Sequence, residues 1–212
     1  MFSFFAMLSR MKYINRWGLM RNTRPESLSE HSFETAVIAH ALALLRCRRF
    51  GGSVSPERAA TLALFHDAPE IITGDLPTPV KYFSPSIRGE YARVEEAAKE
   101  KLLSMLPEDL RGEYAPLLAE GGPEEAELHA LLKAADKLSA LIKCLQERRA
   151  GNLEFLQAEK TLRHSVEDMH LPEADVFLQE FLPAFCLTLD ELEGEQSEEG
   201  GERKGSGSPG KS

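Results

Sequence analysis

The sequence predicts an all-α protein, a helical bundle followed by a short polar tail. Apolar residues recur at helical spacing through most of the first 193 positions. No stretch alternates apolar and polar residues for the length of a useful strand, and no internal repeat is evident. A chain of 212 residues that is 42% hydrophobic is long enough to bury one core. We therefore expect one helical domain over residues 1–193 and a tail over residues 194–212.

Caps and apolar stripes place the helices in order. Near the start, apolar residues recur at every third position, which predicts an amphipathic helix packed on the core through Phe2, Phe5, Leu8 and Met11. A Ser27–Glu30 capping box opens a long helix over residues 27–50. Ser55 and Pro56 are the expected N-cap and first residue of the next helix, which runs to residue 67. After a loop at 72–83, further helices are expected over 84–107, 107–120, 123–151, 152–169 and 172–192, with Gly151 ending the longest.

Composition excludes several classes of protein. A net charge of −9 argues against a basic nucleic-acid surface, and no run reaches the roughly 18 apolar residues of a membrane span. Three scattered cysteines without a C-x-x-C pair predict reduced thiols, and the first residues lack a clear signal-peptide cleavage site, so we expect a cytoplasmic protein. The tail GEQSEEGGERKGSGSPGKS is charged and lacks aromatic residues, so it is expected to be disordered.

The segment LFHDAPEIITGDLPTP at 64–79 points to a metal site. His31 begins the first long helix, His66-Asp67 ends the second, and Asp136 lies at the edge of an apolar stripe. A carboxylate directed partly into a core is costly unless it is paired or bound to a metal. Two imidazoles and two carboxylates suit a divalent transition metal and leave positions for water and a substrate oxygen.

Taken singly, these residues have plainer interpretations. His31 could be a surface or capping residue, and Asp67 could mark a helix end. Asp136 could pair with Lys133 or Lys137. The combined order of His31, His66-Asp67 and Asp136 in an all-helical chain favours the metal site.

This order resembles the HD-domain superfamily of metal-dependent phosphohydrolases, and longer segments resemble the bacterial 5′-deoxynucleotidase family. The similar segments are INRWGLMRNTRPESLSEHS, LFHDAPEIITGDLPTPVKYF and KAADKLSALIKCLQE, with shorter matches at residues 50–52 and 150–156. The resemblance covers residues 2–193 and implies an HD-domain helical bundle. It also implies metal-dependent hydrolysis of 2′-deoxyribonucleoside 5′-monophosphates, little base preference, selection against ribonucleotides, and a homodimer.

The resemblance further implies roles for individual residues. His31, His66, Asp67 and Asp136 would bind one divalent ion, which could be cobalt, manganese, magnesium or zinc. Glu70 would be the acid/base, although a solvent-facing glutamate is the plain alternative. Arg16 would act beside Glu70 in catalysis. The implied substrate contacts are Arg16, Trp17, Asp67, Asp75, Leu76, Pro77 and Thr78.

Several alternatives stay open at this level. Trp17, the only tryptophan, could be a core or interface anchor, and GDLPTP could be a structural Asx turn with a rigid linker. Lys81, Arg21 and Arg24 are better interpreted as solvated surface charge. The function could instead belong to another HD phosphohydrolase, cutting a cyclic nucleotide or a triphosphate, or to a non-catalytic binding protein. Metal-dependent phosphate release would separate an enzyme from a binder.

Overall fold

The described structure is helical throughout. A computed structural model describes residues 1–81, 83–119, 121–122 and 125–199, apart from the side chains of residues 78, 79 and 195–199. Within those ranges the one extended pairing is an isolated antiparallel bridge between Asn15 and Ser27. No helix in the same ranges is long and apolar enough to cross a membrane. The all-α prediction is confirmed.

Eleven α-helices are described, joined by shorter helical turns. They are α1 (Phe4–Leu8), α2 (Leu28–Arg49), α3 (Pro56–Phe65), α4 (Glu70–Thr73), α5 (Thr78–Lys81), α6 (Pro85–Ser104), α7 (Glu108–Leu118), α8 (Ala126–Arg149), α9 (Leu156–Glu167), α10 (Pro172–Val176) and α11 (Leu189–Glu199). The 3₁₀ segments are Ser9–Tyr13, Leu153–Phe155 and Leu182–Cys186, and a π-helical turn covers Phe177–Phe181.

The predicted caps are present. The Ser27 hydroxyl accepts from the Glu30 amide at 3.3 Å, and the Glu30 carboxylate accepts from the Ser27 amide at 2.8 Å, which completes the capping box. Ser55 caps α3 ahead of Pro56, as expected. Gly151 follows α8 with φ +84°, a left-handed backbone that glycine adopts without steric cost. These local signals set where the long helices begin and end.

The predicted stripe at the start of the chain is wrong in its register. Phe2 and Phe5 are 66% and 58% exposed, whereas Phe4 is fully buried with its ring 5.1 Å from that of Tyr114. The reason is that α1 has only five residues before the chain tightens into a 3₁₀ turn, so the 3.6-residue period is not sustained. Met11 is buried as expected.

Two other regions differ from expectation. The loop predicted over residues 72–83 contains the end of α4 and the short helix α5. The single helix predicted over 172–192 is divided, because Pro183 has no amide hydrogen and regular helix gives way to π and 3₁₀ turns around it. Residues 194–199 continue α11, and the rest of the predicted tail lies outside the described residues.

The main core lies where α2 packs between α3 and α8, and the C-terminal helices close it. The predicted stripe of α8 is buried, and it consists of Leu128, Leu131, Leu132, Ala135, Leu138, Ile142 and Leu145. A second apolar cluster holds Phe4, Ala68 and Leu102 beneath the turn after α3. Within the segment 66–70, Ala68 thus packs into this second cluster, while His66, Asp67 and Glu70 are available to form a polar site.

A buried charge pair anchors the loop between the first turns and α2. Glu147 is 1% exposed and pairs with the Lys143 ammonium. Its carboxylate also accepts hydrogen bonds from the Thr23 backbone amide at 2.9 Å, the Thr23 hydroxyl at 2.8 Å and the Asn152 side-chain Nδ2 at 2.8 Å. Burial would raise the pKa of Glu147, but these hydrogen bonds outweigh it and lower the pKa to about 2. The anchor holds the loop that carries Arg16 and Trp17.

We expect this anchor to make the protein sensitive to acid. A carboxyl with a depressed folded-state pKa contributes stability above its ordinary pKa of 4.5 and loses that contribution as pH falls toward 2. Glu147→Gln should therefore lower the free energy of unfolding at neutral pH by about 3 kcal/mol. The loss should shrink between pH 4.5 and 2, as followed by urea unfolding. The exposed Glu167→Gln serves as control, and an unchanged free energy of unfolding for Glu147→Gln at neutral pH would refute the anchor.

Candidate active site

The His66-Asp67 pair stands at the C-terminal end of α3. The Nδ1 of His66 donates to the Ala63 carbonyl at 2.7 Å, which orients the ring. Its Nε2 is buried, makes no hydrogen bond to the described residues, and lies 3.1 Å from the Asp67 Oδ2. Burial acts to lower the pKa of His66, but Asp67 and Asp136 raise it to about 9. The site thus attracts positive charge, either a proton or a metal cation.

His31 reaches the same place from α2. Its ring is fully buried, with Nε2 3.0 Å from the Asp136 Oδ1 and 3.6 Å from the Asp67 Oδ2. The opposite nitrogen, Nδ1, is 3.0 Å from the Ser139 hydroxyl, which itself donates to Glu34 at 2.7 Å. Since the Ser139 hydrogen is used on Glu34, its oxygen accepts from Nδ1 and leaves Nε2 directed at the carboxylates.

Ser139 and Glu34 were not identified from the sequence. Their one signal is spacing: each lies three residues after a predicted ligand on the same helix, Glu34 after His31 and Ser139 after Asp136. That spacing is too common in helices to be diagnostic. The structure alone shows that the two helices face each other at this point.

The predicted ligands converge. Ligand atoms of His31, His66 and Asp67 lie within 4.8 Å of one another, and Asp136 joins them through its contact with His31. Burial opposes ionisation of Asp136, but the hydrogen bond from His31 and the nearby cationic groups hold its pKa below the usual range. Two imidazoles that direct Nε2 at two ionised carboxylates fit a divalent cation of the type that accepts mixed nitrogen and oxygen ligands.

Arg16 lies against this cluster. Its Nη1 is 3.3 Å from the Asp67 Oδ2, and its Nε is 3.1 Å from the Glu26 Oε2. Burial acts to lower the pKa of Arg16, but Asp67, Asp136 and other carboxylates raise it, so the guanidinium stays charged. A planar charged fork next to the ligands is suited to binding a phosphate.

Trp17 follows Arg16 with an unusual backbone. Its φ is +61°, a left-handed conformation that is uncommon for a residue with a side chain. The indole Nε1 donates to the Glu26 Oε2 at 3.0 Å, and the ring packs 5.3 Å from that of the buried Phe155. One edge of the ring is thus fixed by Glu26 and Phe155, which fits the alternative of an anchor.

Glu70 begins α4, so the helix of His66-Asp67 does not simply continue through it. The turn is closed by the Glu70 amide, which donates to the Asp67 carbonyl at 3.0 Å. The Glu70 Oε2 is buried and makes no hydrogen bond to the described residues. Burial, with the charges of Asp67 and Asp75, raises the pKa of Glu70 to about 8. A buried Oε2 does not fit the alternative of a solvent-facing glutamate, and such a pKa is typical of functional carboxyls.

The GDLPTP loop borders the same site. Gly74 ends α4 with φ +74°, and the charge of the half-buried Asp75 contributes to raising the pKa of both Arg16 and Glu70. Leu76 and Pro77 are half-buried, while the side chain of Thr78 lies outside the described residues.

The three other cations each pair with a glutamate. Lys81 pairs with Glu95, Arg21 with Glu154 and Arg24 with Glu30, on side chains that are partly or largely exposed. The interpretation as surface charge fits Arg21 and Arg24. Lys81 differs, because its charge acts on Glu70 and opposes the rise in the pKa of that carboxyl. Arg16 is the cation in contact with Asp67.

Comparison with known proteins shows the family. A family model described as 5′-deoxynucleotidase YfbR-like matches residues 3–185. The chain belongs to this family. This YfbR-like chain is 52% identical over 189 residues to a 5′-deoxynucleotidase of Erwinia tasmaniensis, which covers 89% of the chain and 95% of that protein. It is likewise 52% identical to the 5′-deoxynucleotidase YfbR of Escherichia coli, over 89% of the chain and 94% of the relative.

Solved structures agree on the fold of the YfbR-like chain. An HD-domain phosphohydrolase from Listeria innocua superposes with a TM-score of 0.75 at 25% identity, covering 93% of this chain and 98% of that one. A cyanophage S-2L HD phosphohydrolase, bound to dA and one catalytic Zn²⁺, superposes with a TM-score of 0.60 at 21% identity, over 85% and 95% of the two chains. The second likeness bears on fold alone.

Proposed function

We propose that this chain hydrolyses 2′-deoxyribonucleoside 5′-monophosphates to deoxynucleosides and phosphate, with the help of one divalent metal ion. The observation that carries the proposal is the meeting of a His31–His66–Asp67 cluster with a charged Arg16 at 3.3 Å from Asp67. Curated relatives with this activity cover most of the chain at about half identity. The cluster supplies a place for the metal and Arg16 a place for the phosphate.

His31, His66, Asp67 and Asp136 are the proposed ligands. When bound, a divalent ion would act as a Lewis acid on a phosphate oxygen and lower the pKa of a bound water. Cobalt, manganese, magnesium and zinc all accept imidazole or carboxylate ligands, and we propose cobalt among the ions that support activity. The ring orientations set by Ala63 and by Ser139 favour ligation through Nε2.

The chain's own residues do the remaining work in this proposal. Arg16 donates to the phosphate oxygens and balances their charge. Glu70 holds or releases a proton between the attacking water and the leaving 5′ oxygen, for which a pKa of about 8 is close to the working range. The substrate contacts proposed for Asp67 and for Asp75 through Thr78 would hold the phosphate and the sugar, with Pro77 stiffening the wall.

We propose that the Trp17 ring excludes a 2′-hydroxyl. Trp17→Ala should raise kcat/KM on AMP relative to dAMP by about 10-fold, because removing a large ring relieves a clash of a few kcal/mol at most. The measurement is phosphate release from both nucleotides under one set of conditions. Phe50→Ala, at the exposed end of α2, is the matched aromatic control. An unchanged ratio in Trp17→Ala would end the steric explanation.

A substrate panel tests the proposed reaction against its alternatives. Purified protein with added metal is given dAMP, dATP and a cyclic deoxyadenosine monophosphate, and products are separated by chromatography. The proposal predicts deoxyadenosine and phosphate from dAMP, with little turnover of the other two. Preferential cleavage of the triphosphate or the cyclic nucleotide would replace it with the alternative HD phosphohydrolase. If the metal-bound protein hydrolyses none of the three nucleotides, a non-catalytic binding protein would be favoured.

We also propose a homodimer in the cytoplasm. Phe33, Val37 and Phe185 line one open groove of about 560 Å³ beside α2, and each is at least 37% exposed. A second copy covering this apolar groove would remove it from water. Light scattering should give twice the mass of 23.6 kDa, and Phe33→Glu should halve it. A monomer in the unaltered protein would refute the dimer.

The cytoplasmic assignment is supported by Cys47, Cys144 and Cys186, which are all free thiols.

A further inference from the structure

Glu26 touches both Arg16, the proposed phosphate-binding residue, and Trp17, the residue proposed to exclude a 2′-hydroxyl. Its Oε2 accepts a hydrogen bond from the Arg16 Nε at 3.1 Å and another from the Trp17 Nε1 at 3.0 Å. The carboxylate side chain is only 11% exposed, and the Arg16 side chain 13%. One oxygen atom therefore fixes a guanidinium and an indole at the same time. Neither contact can be inferred from the sequence, because Glu26 lies in a loop nine residues beyond Trp17.

The backbone brings Glu26 across from Arg16. The Arg16 amide donates to the Glu26 carbonyl at 2.9 Å, and the Leu28 amide donates to the Ile14 carbonyl at 2.8 Å, so the two ends of the loop pair like a short antiparallel ladder. Within it Trp17 keeps φ +61°, which a side-chain-bearing residue holds only where its surroundings impose it. The hydrogen bond from the indole to Glu26 is one such constraint.

We infer that Glu26 is a positioning residue that sets sugar selectivity and phosphate binding together. This inference rests on the proposed function, since it concerns the same substrate. The carboxylate directs the Arg16 fork so that Nε faces Glu26 while Nη1 faces Asp67 of the ligand cluster. It also holds the indole edge, so that the ring presents a fixed face and cannot turn aside to admit a 2′-hydroxyl.

Removal of Glu26 would affect the two partners differently. Arg16 would keep Asp67 as a carboxylate partner and could draw closer to it, which competes with phosphate binding. Trp17 would keep its packing on Phe155 but lose the hydrogen bond that fixes its edge. Both changes act on substrate binding, so KM should rise more than kcat falls. A purely structural role would instead lower activity on every substrate in the same proportion.

The test compares Glu26→Ala and Glu26→Gln with the unaltered protein on dAMP and AMP. Glu26→Ala should lower kcat/KM on dAMP about 10-fold, mainly through KM, as expected for losing a hydrogen bond to a charged group. The dAMP-to-AMP ratio of kcat/KM should fall about 10-fold as well. Glu26→Gln, which keeps an acceptor oxygen but no charge, should change both values in the same direction by less.

Glu30→Ala is the matched control. Glu30 is four residues further on and belongs to the capping box of α2, so its loss loosens the same junction without touching Arg16 or Trp17. It should leave the dAMP-to-AMP ratio unchanged. In a Trp17→Ala background, adding Glu26→Ala should produce no further change in that ratio, because Glu26 acts on selectivity through the indole.

The outcomes separate the two proposals. If the unaltered protein releases phosphate from dAMP in preference to AMP and Glu26→Ala keeps that ratio, the inference about Glu26 is overturned while the proposed function stands. A ratio that falls equally in Glu30→Ala also overturns it, since loop loosening then suffices. If Glu26→Ala does not fold, the ratio in Glu26→Gln decides alone. If the unaltered protein does not release phosphate from dAMP, the proposed function fails first.

Discussion

Replacing Glu70 with glutamine is expected to lower kcat by about 10²–10⁴-fold, the usual contribution of a positioned acid or base. Glutamine has nearly the same shape but cannot exchange a proton. The site should therefore still bind metal and nucleotide. The buried Oε2 and the pKa raised to about 8 support the proposed role of Glu70 as the proton carrier. Steady-state kinetics, with metal content measured on the same samples, gives the result.

Glu90→Gln is the control for this prediction. Glu90 lies on α6, 70% exposed, and pairs only with Arg93 among the contacts described for it. It should leave kcat and KM at their original values. Turnover close to that of the unaltered protein in Glu70→Gln would remove Glu70 from the reaction, and a loss of bound metal in that variant would make it a structural residue of the site.

Asp67→Asn should lower kcat/KM by about 10³-fold or more. The Asp67 Oδ2 lies 3.1 Å from the His66 Nε2, 3.6 Å from the His31 Nε2 and 3.3 Å from the Arg16 Nη1. The substitution thus weakens the proposed metal site and removes the charge of one of the two carboxylate partners of Arg16, the other being Glu26. Isothermal titration with a divalent metal should show a matching loss of affinity, which is the readout independent of activity.

The chain offers a natural control for a histidine–aspartate pair. His164 lies in the last turn of α9, and Asp168 follows the end of that helix. The His164 Nε2 is 3.3 Å from the Asp168 Oδ2, and the two side chains are 75% and 61% exposed. Asp168→Asn removes the same charge from a solvated pair and should change neither activity nor metal binding, because exposed ion pairs contribute little. Full activity with normal metal affinity in Asp67→Asn would contradict its place among the ligands.

The fold could be predicted from local patterns where those patterns are long. The stripe of α8 and the caps of α2 and α3 depend on residues that are close together in the chain. In helices as long as α2 and α8, the apolar period repeats often enough to be recognised despite single exceptions. Short elements are harder to predict, because few residues carry the pattern. At α1 five residues cannot establish a period, and beyond α10 a single proline changed the helix type.

The site was predictable only in part. The sequence groups His31, His66-Asp67 and Asp136 as metal ligands because a polar group on an apolar face demands a compensating partner, and the resemblance to a family implies the same four residues. Glu26, Glu34 and Ser139 were missed because their roles depend on side chains that meet across the fold. A glutamate in a loop or a serine in a helix is ordinary in sequence. Its importance arises from the atom it faces, such as the Trp17 Nε1 or the His31 Nδ1.

The most direct measurement is phosphate release from dAMP and from AMP by metal-stripped protein, before and after adding cobalt, manganese, magnesium or zinc. The proposed function predicts no release from the stripped protein, and release restored by at least one of these ions with dAMP strongly preferred. Equal release with and without metal would contradict the metal site. Metal-dependent release without preference for dAMP would contradict the selection against the 2′-hydroxyl.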